Sequence, residues 1–155
     1  MEILNQTSPR PLVTKKTIGA FFLIFSLLGF LDATYLTVQH YQGVIPPCTV
    51  VNGCEKVLTS SYSTIANVPV ALGGAVYYLA MIVLSLLYFD TKNHHWLKRA
   101  AHFSIIGLLA SAYFISLQLF VIHALCLYCL GSAITSTVLF ILGRMELRKM
   151  RLASS

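Results

Sequence analysis

Four apolar runs, near residues 18–39, 68–89, 100–123 and 126–143, constrain this chain more than any other feature of it. Each is close to the roughly 20 residues that an α-helix needs to cross the hydrocarbon of a bilayer. In lipid the backbone finds no water, so a spanning segment must close its own hydrogen bonds as helix. Composition agrees: 57% of the 155 residues are apolar and 10% are charged, which does not suit a soluble domain. The expectation is an all-α membrane protein, a four-transmembrane-helix bundle with one long loop, 40–67, between helices 1 and 2.

The basic residues orient the bundle. With the N-terminus in the cytoplasm, Arg10, Lys15, Lys16, Lys92, Lys98, Arg99, Arg144, Arg148, Lys149 and Arg151 all lie inside. Only Lys56 lies outside, so ten of the eleven cations obey the positive-inside rule. The formal charge of +6 therefore belongs to membrane flanks and does not call for nucleic acid. Residues 1–16, with Pro9 and Pro11, are expected as a cytoplasmic tail, and 144–155 as a basic cytoplasmic tail. The first apolar run is longer than a signal-peptide core and no small-residue cleavage site bounds it, so it is expected to stay as a helix. Pro69 is expected in the first turn of helix 2, and residues 90–99 as a short basic turn.

Four even helices with both ends inside leave loop 40–67 on the outer, oxidising side. The chain's four cysteines gather there as two pairs. Cys48 and Cys54 sit in the loop, near an Asn52-Gly53 turn signal. Cys126 and Cys129 form Cys126-Leu127-Tyr128-Cys129 at the start of helix 4. At a helix N-terminus the free N–H groups and the dipole favour thiolate, the form that attacks disulfides. The two pairs in series suit electron transfer from a soluble dithiol to a lipid-soluble two-electron acceptor beside the deeper Cys129. Two dithiols also suit a Cys₄ zinc site, two static disulfides, or a scaffold with incidental cysteines. Asp32, in the outer third of helix 1, is costly in lipid unless it faces protein or water. It either reaches the interface, or positions the loop and handles protons.

These pieces, in this order, resemble the vitamin K epoxide reductase family in its prokaryotic form. The residues that carry the resemblance are Leu28-Gly29-Phe30-Leu31-Asp32-Ala33-Thr34-Tyr35, Cys48 and Cys54, and Ser60 six residues after Cys54. Tyr62-Ser63-Thr64-Ile65, Gly73-Gly74-Ala75-Val76-Tyr77-Tyr78 and His123-Ala124-Leu125-Cys126-Leu127-Tyr128-Cys129 complete the set. It covers roughly residues 17–143. The resemblance implies an oxidoreductase with four helices around a quinone pocket and the loop as its cover. Cys129 would stand next to a quinone of menaquinone or ubiquinone type, Cys126 would exchange with the loop, and Cys48/Cys54 would shuttle electrons from a thioredoxin-like partner. Ser60 would lie near the active site. With no thioredoxin-like domain after Ser155, that partner is expected to be a separate disulfide oxidoreductase. The expected setting is a prokaryotic inner membrane, where such proteins support disulfide formation in exported proteins. In the animal enzymes an Asn and a Tyr hydrogen-bond the vitamin K head group; Val70 and Ala133 stand there in this chain. Tyr77, Tyr78 and Tyr128 are the expected polar substitutes. The alternative enzyme reading is a quinone or quinone-epoxide reductase whose product is the reduced quinone. The non-enzyme reading is a metal-binding or scaffold tetraspan protein.

Overall fold

The computed structural model describes residues 13–48 and 53–153. Residues 1–12 of the expected N-terminal tail, Asn52 of the expected turn and the last two residues of the expected C-terminal tail lie outside them. The elements run α1 (Val13–Gln42), a short α2 (Cys54–Leu58), β1 (Thr64–Ile65), β2 (Val68–Pro69), α3 (Val70–Thr91), α4 (His94–Leu117), a wide π-type turn (Gln118–Ile122) and α5 (Leu127–Ala153). Thr17–Gln42, Val70–Thr91, His94–Ile122 and Leu127–Leu152 are each long and apolar enough to cross a membrane.

The helices pack as a bundle, α1 against α3 and α5, and α4 against α5 and α3. Ile18, Phe22, Tyr78, Met81, Leu97 and Leu139 fill its centre. Large apolar side chains such as Ile24, Leu31, Val76, Leu86, Leu109 and Ile134 point outward. Hydrocarbon is as apolar as leucine, so association here rests on close packing rather than on expulsion of water. Gly29 shows this: a Cβ there would overlap the ring of Tyr78, so α1 carries glycine where that ring crosses it.

Several helix ends run on beyond the sequence expectation. Helix 1 extends at both ends beyond its apolar run, to Val13 and Gln42. Helix 4 continues to Ala153 through the basic stretch expected as a tail. Residues expected as a basic turn, 94–99, form the first turns of α4, capped by the Asn93 side chain accepting from the His95 N–H at 3.0 Å. Hydropathy marks where lipid ends, whereas Lys, Arg and Leu carry a helix on into water without penalty. Pro69 is not in the first helical turn. It is the N-cap of α3, with φ −65° and ψ 134°.

The inter-helix segment holds more order than an open loop. Ala66 and Asn67, both at positive φ (51° and 64°), turn β1 into antiparallel β2, pairing Thr64 with Pro69 and Ile65 with Val68. Two consecutive positive φ values are the requirement of the tight turn that matches strand twist. The hairpin thereby delivers the chain from α2 to the head of α3.

Candidate active site

The site begins at Gly53. A Cβ at this position would collide with the backbone of Leu125, so only glycine lets the inter-helix segment lie on the linker between the wide turn and α5. Cys54 follows as the first residue of α2 and is fully buried, 1% exposed. It is disulfide-bonded to the half-buried Cys48, with Cα atoms 6.1 Å apart. Cys54, Val57, Ile122 and Cys126 form one packed cluster, with Cys48, Tyr128 and Cys129 against it. The structure thus brings both cysteine pairs together.

Cys126 and Cys129 are free thiols. Cys126, expected as the first residue of helix 4, stands one residue before α5, in the capping position. Its carbonyl accepts the first helical bond, from the Leu130 N–H at 3.0 Å. Its sulfur takes the place that a Ser or Asp oxygen usually fills at an N-cap. The Cys129 thiol donates to it, as do the Cys129 and Tyr128 N–H groups, and against the opposing effect of burial these bonds lower the Cys126 thiol to about 7.

Gln118 was not singled out from the sequence. It is 2% exposed, and its Oε1 accepts from the Cys126 N–H at 2.9 Å. The same side chain shares a cavity wall with Cys129. The signal available was a lone amide inside an otherwise apolar run.

A cavity of about 600 Å³ opens inside the bundle beneath α2 and the hairpin. Of the four cysteines only Cys129 lines it, and Val70 and Ala133 are also on its wall. The volume and apolar lining fit an aromatic ring system such as a quinone head group. Two polar atoms of lining residues, Asp32 Oδ2 and Tyr77 Oη, are buried without a hydrogen-bond partner among the described residues. An orphaned polar atom costs about 1–3 kcal/mol, which a ligand's carbonyl or hydroxyl would offset.

The remaining expected residues divide. Ser60 lines the cavity, and its hydroxyl donates to the Val57 carbonyl at 2.7 Å, closing α2. Tyr78 also lines it, but its hydroxyl lies 2.8–3.0 Å from the Ser132 carbonyl and the hydroxyls of Ser132, Thr135 and Ser136, so α5 already engages it. Tyr128, expected as a quinone contact, is not on the cavity wall. It packs on Tyr35 with centroids 5.6 Å apart and donates to the Pro47 carbonyl at 3.3 Å, tying the Cys48 end of the loop to α5. Among the described residues no three His, Cys, Asp or Glu side chains converge as metal ligands.

Among curated proteins no match is found. The vitamin K epoxide reductase family matches residues 20–143, most of the chain. Four apolar helices, a cysteine pair at disulfide distance and that match together make this chain a multi-pass membrane oxidoreductase belonging to the vitamin K epoxide reductase family.

Proposed function

We propose that the protein is a membrane thiol:quinone oxidoreductase that takes electrons from a separate thioredoxin-like protein and delivers them to a membrane quinone of menaquinone or ubiquinone type. The observation that carries this reading is the division of labour among the cysteines. Cys48 is half-buried in the loop, Cys54 is packed in one cluster with Cys126, and Cys129 alone faces the cavity.

The steps follow from that order. The partner's thiolate attacks Cys48, the more accessible sulfur, and the bond to Cys54 breaks with its electron pair on Cys54. The partner's second thiol then displaces Cys48, leaving partner disulfide and loop dithiol. Cys54 thiolate attacks Cys126 of an oxidised Cys126–Cys129 pair, and the electron pair leaves on Cys129. Cys48 resolves the Cys54–Cys126 bond and restores the loop disulfide. The inner dithiol passes two electrons and two protons to the quinone, giving quinol and the inner disulfide. In the cavity, Tyr77 offers a buried hydroxyl with no hydrogen-bond partner among the described residues, and Asp32 is the group placed to hold or pass a proton. Ser60 shapes the cover over them.

Ten cations on one side support placing both termini in the cytoplasm of a prokaryotic cell and the cysteine pairs at the outer face of its inner membrane. The product is then disulfide in exported proteins. Val70 and Ala133 offer no hydrogen bond to a head group, which favours this reading over epoxide reduction. The test is quinone reduction in spheroplasts with a reduced thioredoxin-like donor supplied outside. Turnover is expected with the wild type and loss of at least about 100-fold in Cys48→Ala, Cys54→Ala, Cys126→Ala and Cys129→Ala. Normal quinone reduction by Cys129→Ala, or turnover only with donor inside, would refute it.

A further inference from the structure

The wide turn Gln118–Ile122 does something that neither the family match nor the cysteine relay explains. It ends a membrane helix and places one buried amide against the head of α5. A π-type turn followed by a left-handed residue is a regular way to close a helix C-terminus, so the turn itself fixes where Gln118 stands. The Gln118 carbonyl takes the Ala124 N–H at 3.1 Å and the His123 N–H, and His123 then turns back at φ 51°. This geometry aims the side chain at the head of α5. Oε1 is committed to the Cys126 N–H at 2.9 Å, which leaves the Nε2 group as a donor toward the cavity whose wall Gln118 shares with Cys129. A merely structural amide needs only some partner; this one holds the backbone of one redox cysteine and shares a cavity wall with the other.

We propose that Gln118 positions the inner pair and supplies the hydrogen-bond donor that receives the Cys129 sulfur when the inner disulfide opens. This deepens the relay reading and rests on it. When Cys54 attacks Cys126, the S–S electron pair passes to Cys129, which becomes a thiolate facing an apolar cavity. The Nε2–H group meets that charge without reorganising, because Oε1 stays anchored on the Cys126 N–H. The donor stabilises the open, reduced pair over the disulfide, so it makes the inner pair the better electron acceptor. That is the direction the relay needs, from loop to inner pair.

The test is a redox titration of the full-length protein in nanodiscs against mixtures of reduced and oxidised dithiothreitol. Each pair is followed separately by alkylation and peptide mass. In Gln118→Leu, of similar size, the inner pair should need about a five-fold higher ratio of reduced to oxidised reagent for half-reduction, the effect of one lost hydrogen bond. The Cys48–Cys54 midpoint should stay within about two-fold, which reports an intact loop. Gln118→Met is the second variant, equally free of donors. An unchanged inner midpoint would overturn the proposal. So would equal shifts of both pairs, or a failure of both variants to fold, since each makes Gln118 a structural residue only. No quinone or partner enters this measurement. Its outcome is therefore separate from that of the relay, whose failure would show as absent turnover in the wild type.

Discussion

Cys126 and Cys129 are one helical turn apart and hold different chemical positions. Cys126 caps α5, is fully buried beside Cys54, and is held at about 7 by hydrogen bonds from Cys129 and from two backbone N–H groups. Cys129 is the one on the cavity wall. The thiolate is the reactive form, so Cys126 reactivity rises with pH and levels off above its lowered value. Alkylation of Cys126 in the reduced protein, followed by peptide mass, should reach half its maximal rate near pH 7. A midpoint at about 8.5, that of an ordinary thiol, would contradict the capping geometry. The thiolate tendency of Cys126 was legible in the sequence, because Cys-x-x-Cys at a helix start carries its own reason. Gln118 was not legible, because its partners lie beyond a turn that no local pattern announces. The adjacent Tyr77 and Tyr78 illustrate the same limit. Neighbours on a helix point about 100° apart, so one meets Phe103, its hydroxyl without a partner among the described residues, and the other reaches the α5 hydroxyls.

At the scale of elements, the cover is as organised as the bundle. The short α2, closed by Ser60, and the β1–β2 hairpin lie over the cavity, and Gly53 seats them on the Leu125 backbone. Replacing Gly53 with Val forces this contact apart and lifts Cys54 from Cys126. Quinone turnover should fall roughly ten- to hundred-fold, the usual consequence of displacing a reacting group by about 1 Å. Thermal stability of the four helices should change little, since none of them contributes to the contact. Unchanged turnover in Gly53→Val would show that the seat is not needed. The sequence supplied the existence of this segment and its two cysteines. It hid the hairpin, whose turn, Ala66-Asn67, lacks the glycine that usually marks such a turn. It also placed helix ends where apolarity stops, although α1 and α5 run on through polar and basic residues.

Across the whole molecule, the four spans were legible because a bilayer imposes length and apolarity together, and the two dithiols because they are the chain's only cysteines. What required the fold was their order in space: loop pair outward, Cys54 packed with Cys126, Cys129 on the cavity, and Tyr128 outside it holding the loop. That order fixes which sulfurs must bond. In Cys48→Ala the relay has no resolving thiol, so the exchange should stop at its intermediate. The measurement is disulfide mapping of that variant by non-reducing proteolysis and mass spectrometry after oxidation by quinone. The expected result is a Cys54–Cys126 linked peptide with Cys129 free to be alkylated. Recovery of Cys126–Cys129 as the only disulfide, with Cys54 fully alkylated, would contradict the account.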